Sequence, residues 1–191
     1  PGTRYSGLTI NHEGSMQNIM IDIETLGTSS NSVILSIGAV EFDNENLGAE
    51  FEIFIDPESC TDHGLVIDAS TVMWWMVQSD EARGELLKRK GVTLDEAILQ
   101  LHQAFDWKGK QVWCNGADFD FPIIASACKA VGILEPWQYW SKMDYRTLKN
   151  LLPKKTYGEL KVDATVKHSA LADAKAQALT TINILKFLGG E

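Results

Sequence analysis

Two acidic side chains near the start of the chain have the type and spacing of a metal-binding pair. Residues 19–25 read Ile-Met-Ile-Asp-Ile-Glu-Thr, a β-branched run that predicts a strand. Asp22 and Glu24 are two positions apart, so both carboxylates point to one face, about 7 Å from each other, and the isoleucines point to the other. Such acids repel unless a cation lies between them, and oxygen ligands suit Mg²⁺ or Mn²⁺. On these residues alone, an edge strand with a solvated acidic face is an equal alternative.

Two further groups of titratable residues lie later in the chain. The motif Asp118-Phe-Asp120 follows a short apolar β segment and stands at the start of a predicted helix. His168 stands five residues before Asp173, where an alanine-rich helix over 169–187 is predicted to begin. An imidazole titrates near neutral pH and is therefore suited to proton transfer, and the additional carboxylates are suited to a divalent cation.

Length and composition predict one globular domain in a reducing compartment. The 191 residues are enough to bury a substantial core, and 45% hydrophobic residues are typical of a globular chain. No apolar run is long enough to span a membrane, so no membrane partner is expected. The three cysteines show no Cys-x-x-Cys spacing, which favours buried thiols and a cytoplasmic location.

The first 15 residues are expected to be an expression-tag remnant. They lack periodicity and end in Gly-Ser directly before Met16, a plausible native start. His12 is therefore left out of the functional argument. Residues 16–191 contain no repeat or linker and are expected to form the single functional domain.

The net charge of −9 argues against a nucleic-acid partner until its distribution is considered. Residues 1–82 contain 14 acids and one arginine, whereas residues 83–191 contain 16 basic and 12 acidic residues. The segment 142–167 contains three acids and seven basic residues: Lys142, Arg146, Lys149, Lys154, Lys155, Lys161 and Lys167. A basic stripe beside a metal cluster is sufficient to hold a short single strand, although a solvated loop explains any single lysine.

The order of the predicted elements indicates an α/β fold. Strands at 18–24, 33–42 and 49–55 come first, and the turn 43–48 makes the last two an antiparallel hairpin. A Pro-led loop is predicted for 57–68. The elements after it are helices that alternate with two strands. The helices are predicted at 69–77, at 80–88, directly after the capping box Thr93-Leu-Asp-Glu96, and at 119–131, 145–151 and 169–187. The strands are predicted at 111–114 and near 138–143. A loop is expected between the last two helices.

The three acidic motifs, in this order, resemble those of the DEDDh 3′→5′ exonucleases. That family includes proofreading exonuclease subunits, oligoribonuclease and ribonuclease T, and the resemblance covers roughly residues 16–188. It implies a ribonuclease H-like fold, with a mixed five-stranded sheet flanked by helices. It also implies a metal-dependent 3′→5′ exonuclease that acts on single-stranded nucleic acid with a free 3′ end, with DNA slightly favoured over RNA.

The resemblance implies a role for each site residue. Asp22, Glu24 and Asp173 would hold one divalent ion, and Asp22 would bridge to a second ion that Asp120 holds. His168 would act as the general base that takes a proton from the attacking water.

Asp118 competes with Asp120 for the middle ligand position. The family pattern Phe-Asp-x-x-Ile/Leu matches Phe119-Asp120-Phe-Pro-Ile123 and favours Asp120. We expect Asp118 to cap the following helix instead.

The substrate contacts are also expectations from the family. Thr25 and Leu26 would touch the 3′-terminal nucleotide, through a backbone amide and an apolar wedge, and Phe119 is expected to contact substrate as well. The segment Trp74-Trp75 with Gln78-Ser-Asp-Glu-Ala-Arg83 is similar to a phage and bacterial subgroup described as exodeoxyribonuclease VIII-like, DexA-like or exoribonuclease. Adjacent helical tryptophans point about 100° apart, so one can face the core while Trp74 stacks on a base. Two core and boundary tryptophans are an equal alternative.

Several alternatives stay open at this point. Asp144 is either near the site or a helix N-cap, and a homodimer is compatible with the sequence. An exoribonuclease of the same family, or a non-catalytic nucleic-acid-binding module on this fold, is the alternative function. An endonuclease of ribonuclease H type shares the two-metal chemistry but lacks the His-x4-Asp pair, and the presence of His168 disfavours the tyrosine-containing branch.

Overall fold

A computed structural model describes residues 16–87, 90–166 and 168–190 of the chain. The predicted tag remnant at 1–15 and Lys167 of the basic stripe lie outside the described residues. Among the described residues, no helix has the length and hydropathy that crossing a membrane requires.

Five strands form one mixed sheet, which confirms the predicted architecture. The strands are β1 (Asn18–Thr25), β2 (Ile34–Phe42), β3 (Leu47–Phe54), β4 (Gln111–Cys114) and β5 (Lys142–Asp144). Their order across the sheet is β3-β2-β1-β4-β5. β1, β2 and β3 are antiparallel neighbours, while β4 and β5 run parallel to β1.

Eight α-helices cover the sheet and its edges in the described part of the chain. They are α1 (Pro57–Asp62), α2 (Ala69–Met76), α3 (Asp80–Leu87), α4 (Leu94–Ala104), α5 (Asp120–Ala130), α6 (Tyr145–Asn150), α7 (Lys154–Leu160) and α8 (Ala170–Gly189). Side-chain caps fix several of their starts, because a carboxylate or hydroxyl oxygen accepts hydrogen bonds from unpaired backbone N–H groups. Asp68 caps α2 in this way and Thr93 caps α4, as the capping-box sequence predicts.

Two predicted loops are wrong, because each contains a short helix. α1 lies within 57–68, where Asp56 accepts a hydrogen bond from the Glu58 N–H and Pro57 occupies the first helical position. α7 lies in the segment predicted as a loop before the last helix, and it begins directly after Pro153. Helices this short carry too little apolar periodicity for a pattern search to detect them.

β1 is the central strand, so the interpretation of the acid pair as part of a solvated edge strand is wrong. The isoleucines of β1 pack into a core with α4 and α5. The opposite face, which carries Met20, Asp22 and Glu24, is covered by α8 through residues such as Ala174 and Ala178. The two carboxylates are therefore held beneath a helix rather than in open solvent.

Candidate active site

Four carboxylates from three elements converge at the end of β1. Asp22 and Glu24 come from β1, Asp120 from the first residue of α5, and Asp173 from the first turn of α8. Glu24 is 8% exposed and Asp120 is 3% exposed, so these acids have little water to stabilise their charges. The structure thus brings together all four acids that the sequence nominates as metal ligands.

The pKa values of these acids reflect burial and mutual repulsion. Burial and the carboxylates of Asp173 and Asp120 raise the pKa of Glu24 to about 8. Burial raises the pKa of Asp120 to about 7, although hydrogen bonds from backbone N–H groups and from the Cys114 thiol oppose this shift. Burial, followed by the charges of Asp120, Glu24 and Asp173, raises the pKa of Asp22 well above its ordinary value. In the absence of cations, the cluster therefore retains protons at neutral pH.

His168 lies beside two of these acids. One ligand atom each from Glu24, His168 and Asp173 fall within 4.8 Å of one another. The His168 backbone has a left-handed φ of 60°, which costs a non-glycine residue of order 1–3 kcal/mol. Its backbone N–H donates to Asp173 Oδ2 at 3.0 Å. Its ring lies edge-on to the rings of Trp74 and Trp75, with centroids 5.1 and 6.0 Å away.

Asp120 and Asp118 have different surroundings. Asp120 is buried among the other acids, whereas Asp118 is exposed and forms a 3.4 Å ion pair with Arg146. The prediction that Asp118 caps α5 is wrong, because the helix has no side-chain cap and Arg146 attracts the Asp118 carboxylate instead. Of these two acids, Asp120 is the one whose charge acts on Asp22 and Glu24.

The turn that precedes Asp120 is fixed from β5 and α6. Asp144 caps α6 and also accepts hydrogen bonds from the N–H groups of Gly116 and Ala117, at 3.1 and 3.3 Å. Partial burial raises the pKa of Asp144, but hydrogen bonds from Thr147 and nearby backbone N–H groups outweigh it and hold the pKa below its ordinary value. Arg146 donates to the Asn115 carbonyl at 2.9 Å. Asp144 is thus both a helix cap and a support for the turn that carries Asp120.

The basic stripe is partly engaged within the protein. Lys142 pairs with Glu135 at 2.7 Å and Lys161 with Asp163 at 2.5 Å. Lys149 donates to the Asn115 side chain at 3.2 Å, next to Arg146. Two cations of the stripe, Arg146 and Lys149, therefore converge on the turn beside the acidic cluster.

Gly38 allows α8 to approach the acids closely. It is the cross-strand neighbour of Asp22, and a Cβ atom at this position would lie 2.1 Å from the backbone nitrogen of Leu171. Any larger residue would therefore push the first turn of α8, and Asp173 with it, away from β1. A glycine inside the β-branched run of β2 is the sequence signal for such an approach.

Gln177 links α8 directly to the acid cluster. It lies one turn after Asp173, and its Nε2 donates to Asp22 Oδ1 at 2.8 Å. Within the part of the chain that the structure describes, its Oε1 is the buried side-chain polar atom that lacks a hydrogen-bond partner. Neither Gly38 nor Gln177 carries an ionisable group, so a search for titratable residues passes over both.

A cavity of about 440 Å³ opens beside Glu24 and the two tryptophans. Its lining includes Thr25, Trp74 and Phe119, three of the residues that the sequence nominates for substrate contact. Trp74 is 42% exposed, whereas Trp75 is buried and donates from Nε1 to the Thr25 carbonyl at 2.9 Å. Leu26 is absent from this lining and instead lines a second cavity, which Trp75 also borders.

The donor set fits a hard divalent cation. It consists of carboxylate oxygens with one imidazole, and burial makes their unneutralised charges unfavourable. The orphaned Oε1 of Gln177 adds a hydrogen-bond acceptor beside the cluster. The four acids are the residues that would hold such ions.

Solved structures with the same fold are exonucleases. The fold resembles that of E. coli ExoI in its zinc-bound complex with single-stranded DNA, at a TM-score of 0.67 and 14% identity over 91% of this chain and 41% of that one. Exonuclease I of Methylocaldum szegediense gives a TM-score of 0.63, again at 14% identity over 91% of this chain and 41% of that one. The chain spans about two fifths of the length of these structures.

The sequence comparisons identify the family. Residues 17–185 match the model of the 3'-5' exoribonuclease Rv2179c-like domain, and the chain belongs to this family. It is also 26% identical to an exodeoxyribonuclease of Enterobacteria phage T4 over 215 aligned positions, which cover 92% of each protein. The resemblance to the 3′→5′ exonucleases, an enzyme class of phosphodiester hydrolases, is confirmed.

Proposed function

We propose that this protein is a divalent-metal-dependent 3′→5′ exonuclease that removes nucleotides from the free 3′ end of single-stranded nucleic acid, with DNA preferred. The observation that carries the proposal is the convergence of four carboxylates and one imidazole beside an aromatic-lined cavity. An acid cluster that is buried and still opens to a cavity on one side is suited to cations that meet a phosphate there.

Each acid has a place in this proposal. Asp22, Glu24 and Asp173 would hold one cation, and Asp120 together with Asp22 would hold a second. Mg²⁺ or Mn²⁺ suits the oxygen donors, and when bound these ions lower the pKa of water and stabilise charge on the phosphate. Bound cations would favour the deprotonated form of these carboxylates.

His168 acts as the general base. Its ring nitrogen lies within 4.8 Å of the Glu24 and Asp173 oxygens, where it can take the proton of the water that attacks the phosphorus. The P–O3′ bond breaks as the new P–O bond forms, which releases a nucleoside 5′-monophosphate and a shortened strand. The Trp74 ring packs against this imidazole, and the backbone N–H of His168 donates to Asp173.

The 3′-terminal nucleotide is expected to lie in the cavity beside Glu24. Trp74 offers a half-exposed ring on which a base can stack, at about 1–3 kcal/mol, with Thr25 and Phe119 on the other walls. Arg146 and Lys149 are then well placed to attract the phosphates that follow. Leu26 has no part in this proposal because it faces the second cavity.

Two relatives bear on the choice of sugar. The phage T4 relative, which matches over nearly its whole length, is an exodeoxyribonuclease, and the ExoI structures include complexes with DNA oligonucleotides. RNA is the second candidate, because the description of the family names an exoribonuclease. The three buried, free cysteines suit a reducing compartment, so we place the activity in the cytoplasm.

The proposal is tested with matched DNA and RNA 12-mers that carry a 5′ label. With Mg²⁺ or Mn²⁺, we expect both strands to shorten one nucleotide at a time, and DNA to shorten faster than RNA. Excess EDTA, a 3′-phosphorothioate cap or the Asp22→Asn substitution should each stop the reaction.

Other outcomes contradict specific parts of the proposal. Hydrolysis in excess EDTA would exclude the metal-dependent mechanism, and internal cleavage of a 3′-blocked strand would indicate an endonuclease. Binding of both strands without any shortening would identify a non-catalytic module. Faster degradation of RNA than of DNA would identify RNA as the preferred substrate.

A further inference from the structure

Gln177 contacts the acid cluster but has no part in the chemistry proposed above. Its position on α8, four residues after Asp173, places it on the face that covers β1. Its Nε2 reaches Asp22 Oδ1 at 2.8 Å, so the acid predicted to bridge two cations is held by a neutral amide. A neutral donor can hold this carboxylate without competing for it as a cation would.

The other end of the same amide is the informative part. Gln177 Oε1 is shielded from solvent and, among the described residues, has no donor to pair with. Leaving such an acceptor unpaired is unfavourable, so native proteins usually supply a partner from protein or ordered water. The opposite orientation of the amide would place Oε1 against the Asp22 carboxylate, with two acceptors facing each other. The hydrogen-bond network therefore supports the orientation in which Nε2 faces Asp22.

We propose that Gln177 is a positioning residue for the cation site, with Nε2 orienting Asp22 and Oε1 accepting a hydrogen bond from the hydration shell of the bound cation. This inference rests on the proposed function only in placing a divalent cation at the cluster. Mg²⁺ and Mn²⁺ commonly keep several waters in protein sites, and these waters are strong hydrogen-bond donors. A single side chain would thus fix both the ligand and the solvent of the ion.

The backbone around Gln177 is suited to this task. Its carbonyl accepts a hydrogen bond from the Thr181 hydroxyl at 2.8 Å, and the neighbouring Ala176 and Ala178 are buried. The close approach at Gly38 fixes the first turn of the same helix against the sheet beside Asp22. The amide is therefore presented by a rigid element, as precise placement of a ligand requires.

The test uses the Gln177→Met variant, which keeps the shape and removes both polar atoms, with Gln177→Asn as a second variant that keeps the amide but shortens its reach. Gln100→Met is the matched control, because it breaks a 2.9 Å glutamine–carboxylate contact with Glu96 on α4, away from the site. Calorimetric Mn²⁺ binding to the metal-free protein is the main measurement, and KM and kcat for a DNA 12-mer are the second.

We expect Mn²⁺ affinity to fall about 10–100-fold in both Gln177 variants and to stay unchanged in the control, since loss of such supporting contacts has this effect at metal sites. At subsaturating metal kcat should fall, with KM for the oligonucleotide nearly constant. A purely structural role would instead lower the unfolding temperature in EDTA and leave Mn²⁺ affinity intact. If Gln177→Met does not fold, as judged by circular dichroism, the Gln177→Asn affinity decides.

The inference is overturned if a folded Gln177 variant binds Mn²⁺ as tightly as wild type. Its failure is separable from failure of the proposed function. Wild-type protein that binds Mn²⁺ but does not shorten a strand would contradict the exonuclease, while a Gln177-dependent affinity in that protein would still support the cation site.

Discussion

Two segments deliver chemical groups to the site, and they are held in different ways. The turn before Asp120 is fixed by hydrogen bonds from Gly116 and Ala117 to Asp144, and by Arg146 bound to a backbone carbonyl. The second segment, residues 161–166 with His168, contains no helix or strand. His168 contacts the Asp173 carboxylate through its own N–H, and its ring lies against Trp74 and Trp75.

The difference indicates what each group needs. A carboxylate that shares cations must be placed precisely, and the support of its turn comes from groups outside the cluster. The backbone of His168 is instead hydrogen-bonded to Asp173, one of the proposed metal ligands, so the position of the residue depends on the acid cluster. We infer that disturbing the acids also displaces the base, whereas losing the base leaves the acids in place.

The largest expected effect comes from the first segment. Asp120→Asn removes a proposed ligand and should lower kcat by roughly 10³–10⁵, because a cation supplies several kcal/mol of charge stabilisation. Asp118→Asn, two residues earlier and exposed, should stay within about 2-fold of wild type, because a surface ion pair contributes little. Steady-state kinetics of the two variants provide the comparison, and the reverse pattern would assign the ligand to Asp118.

Removing the base should have the next largest effect. His168→Ala should lower kcat by roughly 10²–10⁴, the usual contribution of a general base, with Mn²⁺ affinity nearly unchanged. The acidic limb of the pH–rate profile should flatten, and raising the pH should partly restore the rate. A large loss of Mn²⁺ affinity with an unchanged pH profile would instead identify His168 as a metal ligand.

Protonation of the carboxylates should make the stability of the metal-free protein depend on pH. The pKa values of about 8 for Glu24 and about 7 for Asp120 lie above those of the unfolded chain, so the folded state binds more protons. Their contribution to stability is fully present below about pH 4 and is lost as the pH rises towards 8. Thermal unfolding in EDTA should show this decline, and Mg²⁺ should raise Tm more at pH 8 than at pH 5.5. An equal Tm increase at both pH values would contradict the assignment.

The smallest effect concerns the support of the turn. Asp144→Ala removes the cap of α6 and the acceptor for Gly116 and Ala117, so it should cost about 1 kcal/mol of stability and roughly tenfold in kcat. Thr93→Ala removes the cap of α4 away from the site and should cost similar stability with an unchanged kcat. Equal kinetics in the two variants would indicate that Asp144 acts as a helix cap alone and does not support the turn.

Much of the framework could be predicted from local pattern. The alternation in residues 19–25 places Asp22 and Glu24 on one strand face, and the apolar runs and caps locate most helices and strands to within a few residues. The mixed five-stranded sheet followed from the resemblance to a known family, since periodicity by itself supports only an α/β fold. The helices α1 and α7 were missed, because six or seven residues contain too few turns for a periodic signal.

The sequence by itself determined which groups are present and how they are spaced along the chain: Asp22 and Glu24 on one face, and His168 five residues before Asp173. Only the tertiary structure decided that β1 is central, that Trp74 is exposed while Trp75 is buried, that Asp118 pairs with Arg146, and that Leu26 lines a different cavity. The contacts of Gly38 with α8 and of Gln177 with Asp22 join residues more than 130 positions apart. Local pattern constrains only neighbours along the chain, and such long-range contacts depend on how whole elements pack.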